Sequence, residues 1–324
     1  MVLAFIILST LSHLVYHRSV FASFLEIYLR CQHKIGYRLP DREAVMCKVN
    51  ANDGLCRAEL PKRMSSPVRE TEEFGLQTFI LNEDTDSKVL VFFLSRGGFL
   101  HPPRGIVFRF IDRVAASTGA KMIVPVYRRL PQCTFRDTYP QIVDMYKSEV
   151  EKHPGWKIVL AGDSAGANIV LVMAQFLIRD GYRQPDDIII SSPPAGYPYA
   201  GHEEEFAPYD KADPFLNAVG VNTLAEAWAG DGDVLDWRVS PYLGDVRGMG
   251  RTTIFVGGRE VFCPSANAIY RKMVENGVDA QIIVGRNLNH DFPLHPIPDA
   301  WPYRRMFCEI VKRPAGEQVP DSKN

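Results

Sequence analysis

The sequence predicts an α/β protein with one largely parallel sheet covered on both faces by helices. Three observations lead there. From Gly75 to Val311, short apolar runs alternate with segments of helical period. One such run, Ile158-Val159-Leu160-Ala161, passes directly into Gly162-Asp163-Ser164-Ala165-Gly166, and helical spacing follows at once. The chain has 324 residues, 46% of them hydrophobic, which is enough for one large core.

The elements follow in order. Gly75–Leu81 and Lys88–Leu94 read as strands joined by the polar turn Asn82–Asp86. Ile106–Thr118 has helical spacing, Lys121–Val126 is a strand, and Asp137–Lys152 is a helix ended by His153-Pro154-Gly155. Ile158–Leu160 is a strand, Ala167–Arg179 a helix and Asp187–Ser191 a strand. Pro193–Trp237 breaks the rhythm with Pro, Gly, acidic residues and scattered aromatics. Thr252–Val256 and Ala280–Val284 then read as strands, and Ser265–Asn276 and Pro302–Val311 as helices. Alternation of this kind makes parallel strands buried on both faces. Asp41–Pro67 lacks periodicity and reads as a loop-rich connection, and residues 312–324 read as a frayed polar tail.

The N-terminus admits three readings. Met1–Tyr16 is apolar apart from Ser9, Thr10, Ser12 and His13. Sixteen helical residues span about 24 Å, short of a hydrocarbon core of about 30 Å. The stretch is a short membrane anchor over residues 1–18, a helix lying on the fold or over its site, or a signal peptide, although no basic region precedes it. Arg18, Arg30, Lys34 and Arg38 follow it. Were it to span, the folded body would lie on the cytoplasmic side; otherwise a cytoplasmic protein is expected. Phe21–Leu29 is amphipathic and suits a packing or an interfacial helix.

Composition excludes several classes. A formal net charge of -1 gives no electrostatic reason to expect nucleic acid as a partner. The six cysteines show no CxxC spacing, so buried free thiols are expected rather than a disulfide scaffold or a zinc site. No Asn-x-Ser/Thr sequon occurs.

The chemistry begins at Ser164. A strand–Gly-x-Ser-x-Gly–helix turn is too sharp for side chains at the flanking positions, exposes the serine hydroxyl, and sets the N–H of Ala165 beneath it. Such a serine needs a base, and the base needs an acid. Of the later histidines His202, His290 and His295, His290 follows the last apolar strand in a loop before the final helix and is the expected base. His202 sits in a charged stretch that reads as solvated, and His295 is the weaker alternative. Glu260 stands just beyond Thr252–Val256 and is the expected acid, against the reading of a surface glutamate paired with Arg259. Asp291, next to His290, is expected to be poorly placed to grip its ring. Ser95-Arg96-Gly97-Gly98 follows an early strand, and its glycines let the backbone turn N–H groups inward. Gly97, Gly98 and Ala165 are the expected oxyanion donors.

Together these residues resemble the hormone-sensitive-lipase-like family of α/β-hydrolases, over about Val89 to Phe307. Four stretches carry the likeness: Gly162–Gly166 with Asn168; Tyr127-Arg128 with Pro131 and Phe135; Ser240-Pro241 with Leu243-Gly244-Asp245; and Asn289-His290. The family's histidine-glycine-glycine-glycine loop stands here as Ser95-Arg96-Gly97-Gly98, so the buttressing histidine is replaced and Arg96 takes a glycine's place. Glu260 stands where aspartate is usual, and Pro264 replaces a second acidic residue.

The resemblance implies one α/β-hydrolase domain over residues 1–324. Its helical cap would be built from residues up to about 70 and an insertion over about 194–237. Phe206, Tyr209, Phe215, Trp228 and Trp237 are candidates to line an apolar pocket there, or else to pack in the core. It implies a serine carboxylic-ester hydrolase for a small hydrophobic ester, of lipid, sterol or terpenoid type, needing neither metal nor organic cofactor. A non-catalytic small-molecule binder on the same fold is the rival expectation, as in the family's plant gibberellin receptors. An amidase, lactonase or acyltransferase would use the same residues.

Overall fold

A computed structural model describes residues 9–31, 38–197 and 203–315. Its centre is an eight-stranded sheet made of β1 (Val68–Glu73), β2 (Leu76–Leu81), β3 (Val89–Leu94), β4 (Lys121–Pro125), β5 (Lys157–Asp163), β6 (Asp187–Ser191), β7 (Thr252–Gly257) and β8 (Ala280–Gly285). The spatial order is β1-β2-β4-β3-β5-β6-β7-β8. β2 runs antiparallel to both its neighbours, and all other pairings are parallel.

Alternation along β3 shows how the sheet divides the core. Leu90, Phe92 and Leu94 face one apolar cluster, and Val91 and Phe93 face the other. The first face is covered by α4 (Phe135–Lys152), α5 (Ala165–Arg179) and α8 (Cys263–Glu275); the second by α3 (Gly105–Thr118) and α9 (Trp301–Lys312). Covered on both sides, β5 and β6 are buried along their whole lengths.

Two segments depart from expectation. Within Asp41–Pro67, Arg42–Asn50 forms α2, started by the Asp41 side chain accepting the Ala44 N–H at 2.9 Å and seated through Val45 and Val49. Two apolar contacts one turn apart are too few to show a period. β1 is the other. Val-Arg-Glu-Thr-Glu-Glu carries no apolar alternation because it is an edge strand with no fully buried residue. Its place is set by backbone pairing to β2, with Val68 opposite Leu81.

The N-terminal part and the insertion meet each other. α2 packs on α7 (Ala218–Ala229), and α1 (Val20–Cys31) reaches the end of α6 (Glu203–Ala212); α6 and α7 are the two helices inside the aromatic-rich insertion. Arg30 donates to the Ala212 carbonyl at 2.8 Å, and Asn217 to the Leu39 carbonyl at 2.8 Å. Residues 9–14 are also helical, while residues 1–8 lie outside the described residues. Among the described residues, no helix is long and apolar enough to cross a membrane.

The cysteines are all free, but only Cys133 and Cys263 are buried; Cys31 and Cys47 are exposed. The C-terminal segment is tied down beyond the point where fraying is expected. Arg313 pairs with Asp187, and Lys157 Nζ donates to the Ile310 and Arg313 carbonyls at 2.6 and 2.8 Å. Residues 316–324 lie outside the described residues.

Asp187 is wholly buried and also meets Lys157 and Arg251, each at 2.8 Å. Burial opposes its charge, but the three cations outweigh burial and hold its carboxyl below the usual range. Asp187→Ala strands three cations and should destabilise the fold by about 3–5 kcal/mol in urea titration. A folded pKa below the unfolded value means that this contribution is complete above the unfolded carboxylate range. The gap between wild type and variant should therefore close as pH falls below about 4. Equal midpoints at neutral pH would contradict this.

Candidate active site

The sharp turn at the end of β5 is enforced by close backbone approach. A Cβ on Gly166 would lie 2.0 Å from the Leu94 carbonyl oxygen, and one on Gly162 would lie 2.7 Å from that of Gly166. Ser164 itself adopts φ 52, ψ -120, a conformation costing about 1–3 kcal/mol. Its N–H donates to the Ser191 carbonyl at 2.8 Å, which helps hold the turn against that strain. The result is a serine at the N-terminus of α5 with its hydroxyl facing a cavity.

The structure brings Ser164, His290 and Glu260 together. His290 Nε2 lies 3.0 Å from Ser164 Oγ, and Nδ1 lies 3.0 Å from Glu260 Oε2. With a proton on Nδ1 directed at Glu260, the Nε2 lone pair is left for the serine O–H. Gly257, ending β7, lets the histidine loop cross. A Cβ there would stand 2.6 Å from both the Leu288 and Asn289 carbonyl oxygens. Arg259 does not pair with Glu260. It turns to the buried Glu26 of α1 at 3.0 Å, beside Arg18 at 2.6 Å and Arg30 at 2.9 Å. Arg18 also donates to the Asn287 carbonyl at 3.0 Å. α1 is thus pinned to both loops that carry Glu260 and His290.

Gly97 and Gly98 have φ +147 and +63, and both line the cavity with Ala165. A Cβ on Gly97 would meet the His101 carbonyl oxygen at 2.1 Å, so no other residue fits this loop unchanged. Tyr127 of the Tyr-Arg stretch donates from its hydroxyl to the Ser95 carbonyl at 3.0 Å, and the Arg96 N–H donates to Asp163 Oδ1 at 2.9 Å. These two bonds brace the loop that lacks the family's histidine. Asn168 ties α5 to the insertion through the Pro194 and Val239 carbonyls, at 2.7 and 3.0 Å.

One expectation is corrected. Asp291 is not remote from the His290 ring: its Oδ2 lies 3.1 Å from Nε2, because a left-handed backbone (φ 53) turns its side chain back. Of the five insertion aromatics, only Phe215 lines the cavity. Trp228 is fully buried against Phe99, with centroids 4.6 Å apart, and Trp237 packs on Phe176. Phe206 and Tyr209 join the core cluster. His295 faces the His290 carbonyl oxygen at 3.1 Å. His202 lies outside the described residues. Ser192 was not singled out from the sequence. Its hydroxyl donates to Glu260 Oε2 at 2.8 Å and accepts the Asp291 N–H at 2.9 Å. Only its place directly after β6 signalled it.

Electrostatics favour a charged imidazole. Burial opposes charge on His290, but Asp291 and Glu260 outweigh it and push the ring up to about 10. Burial raises Glu260, and burial together with Asp291 raises Asp163 well above the carboxylate range. Burial pushes His295 down to about 4, with Arg96 adding to the effect. The cavity holds about 420 Å³ and is lined mostly by apolar side chains, including Leu25 and Leu29 of α1 and Leu216 and Leu224 of the insertion.

The profile of the alpha/beta hydrolase fold family matches residues 91–294, and the chain belongs to that family. A triacylglycerol lipase of Mycobacterium tuberculosis is 25% identical over 201 residues, which are 61% of this chain and 40% of that protein. The chain thus spans well under half of that lipase. An esterase of Acinetobacter venetianus is 22% identical over 252 residues, covering 77% of this chain and 81% of that one. Among solved structures, an esterase from the bacterial hormone-sensitive lipase family superposes with a TM-score of 0.74 at 20% identity, covering 91% and 98% of the two chains. A hormone-sensitive lipase from a metagenome library has a TM-score of 0.74 at 15% identity, covering 90% and 97%. At such identities these structures show the shared fold.

A fluorophosphonate probe should modify the protein once, at Ser164, as read by peptide mass spectrometry, and His290→Ala should suppress the labelling. An adduct on another residue would overturn the assignment of the reactive hydroxyl.

Proposed function

We propose that the protein is a serine carboxylic-ester hydrolase acting on a small hydrophobic ester. The observation that carries this reading is the line Ser164 Oγ–His290 Nε2–Glu260 Oε2, with 3.0 Å at each step. In the proposed reaction Ser164 Oγ attacks the ester carbonyl carbon while His290 Nε2 takes its proton, and Glu260 stabilises the imidazolium. The N–H groups of Gly97, Gly98 and Ala165 hold the oxyanion. The C–O bond to the alcohol then breaks, and the alcohol leaves with the proton from Nε2. Water, deprotonated by His290, attacks the acyl-enzyme and releases the acid and Ser164.

That the relatives are a lipase and an esterase supports ester hydrolysis, and the apolar cavity supports a hydrophobic acyl or alcohol group. A lipid, sterol or terpenoid ester fits the same lining. The rival reading, a binding protein on a hydrolase fold, draws on Arg96 and Asp291, which crowd the site. The intact serine–histidine–glutamate line favours chemistry.

Membrane association is part of the proposal. Leu14, Phe21 and Tyr28 are 71%, 60% and 55% exposed on the N-terminal helical segments. Tyr28 also lines the cavity, so the apolar surface adjoins the way in. Were the first stretch to span, the basic residues after it would put the folded body on the cytoplasmic side.

Short-chain p-nitrophenyl esters should be turned over, and Ser164→Ala should lose at least about 10⁴-fold in kcat. Equal rates for both proteins would remove the enzymatic reading. Gly97→Ala should lose about 10²–10³-fold with the fold retained. Leu14→Asp combined with Phe21→Asp should weaken sedimentation with phosphatidylcholine–phosphatidylserine vesicles and leave hydrolysis of a water-soluble ester unchanged. Equal vesicle binding would contradict the interfacial reading.

A further inference from the structure

Arg96 stands where the resembling family has glycine, and its side chain meets two neighbours, Asp291 and Phe215. Its Nη1 lies 3.1 Å from Asp291 Oδ2, and the guanidinium carbon lies 5.6 Å from the Phe215 ring centroid. The same Oδ2 lies 3.1 Å from His290 Nε2, the nitrogen that also faces Ser164 Oγ at 3.0 Å. Asp291 is fully buried, and neither of its carboxylate oxygens makes a well-aligned hydrogen bond among the described residues, so its contacts to Arg96 and His290 are ion-pair contacts. One buried carboxylate oxygen is therefore shared between a permanent cation and the very nitrogen that must receive the serine proton.

A carboxylate against Nε2 obstructs general-base chemistry. It stabilises a proton on Nε2, and a protonated Nε2 cannot accept another. The groups around His290 are Glu260 at Nδ1 and Asp291 at Nε2, with Asp163, Asp213 and His295 nearby, and Arg96, whose charge acts on Asp291, Asp163 and His295. Arg96 is the one permanent cation in that set. Its backbone N–H is fixed by Asp163, which sets the direction in which the side chain leaves the loop.

We propose that Arg96 is a positioning residue: by holding the Asp291 carboxylate it weakens that carboxylate's claim on the Nε2 proton and leaves His290 able to serve Ser164. This rests on the reading of the site as an ester hydrolase. Arg96 and Asp291 form a matched pair. Without Arg96, Asp291 over-stabilises the charged form of the imidazole. Even with Arg96 in place the ring is biased toward that form, so kcat/KM should still be rising with pH above the ordinary histidine range near 6.5.

The test is the pH profile of kcat/KM on p-nitrophenyl acetate for wild type, Arg96→Gln, Arg96→Lys, Asp291→Asn and the Arg96→Gln/Asp291→Asn double variant. Arg96→Gln should move the acid limb to higher pH by about one unit, a tenfold loss on the rising limb that a high-pH plateau recovers. Asp291→Asn should move the limb to lower pH. Arg96→Lys should keep the wild-type limb. In the Asp291→Asn background, Arg96→Gln should no longer move it. An unmoved limb in Arg96→Gln with only a lower plateau would reduce Arg96 to a loop brace and overturn the proposal. Should that variant fail to fold, an unmoved limb in Asp291→Asn would overturn it equally. The His290 titration followed by NMR in the same variants reads the same shifts without turnover. Absence of turnover in wild type would therefore defeat the proposed function, while the NMR shifts alone would decide the role of Arg96.

Discussion

Everything at this site depends on an imidazole being held between a hydroxyl and a carboxylate that arrive from different strands. Ser164 leaves β5, Glu260 lies just beyond β7, and His290 lies beyond β8. Parallel pairing brings those three strand ends to one edge of the sheet, and the register β7–β8 runs to Gly257 opposite Gly285. The glycines matter at that edge for a steric reason. Gly166 and Gly257 permit backbone contacts that any Cβ would prevent. The sheet fixes the ends, and close packing of the loops sets the last ångströms.

The same edge gathers more negative charge than the reaction needs. Glu260, Asp163, Asp213 and Asp291 are all buried near one histidine. Such a cluster persists only when hydrogen bonds and cations compensate it. Ser192 supplies a bond to Glu260, backbone N–H groups from Phe215, Leu216 and Val261 serve Asp213, and the Arg96 N–H serves Asp163. Arg96 supplies the cation. Its side chain in the Gly97-Gly98 loop is costly in space, but electrostatically it answers Asp291. The N-terminal helix α1 adds a second clamp through Glu26, which meets Arg259 beside Glu260.

What could be read from the sequence had a local signature. Ser164 lies in a turn with a steric rule of its own, and His290 and Glu260 follow from their places after strands whose apolar runs are continuous. The alternation of elements was legible because buried parallel strands and two-faced helices leave strong periods. β1 and α2 left none: one is a solvated edge strand, the other a short helix seated by two valines. Asp291 was misread because sequence adjacency suggests divergence of neighbouring side chains, and a left-handed residue reverses that. Ser192 was invisible because its role is to join two loops about 70 to 100 positions away. The insertion aromatics were ambiguous for a different reason: hydrophobicity marks burial, and burial against Phe99 or Phe176 looks the same in sequence as a place on a cavity wall.

The most direct measurement is a crystal structure of the protein inhibited by a small alkyl phosphonate. The account predicts phosphorus bonded to Ser164 Oγ, the phosphonyl oxygen within hydrogen-bond distance of the Gly97, Gly98 and Ala165 N–H groups, and the His290 ring still bridging Oγ and Glu260. A phosphonyl oxygen turned away from that loop, or an imidazole swung out of line with Glu260, would contradict it.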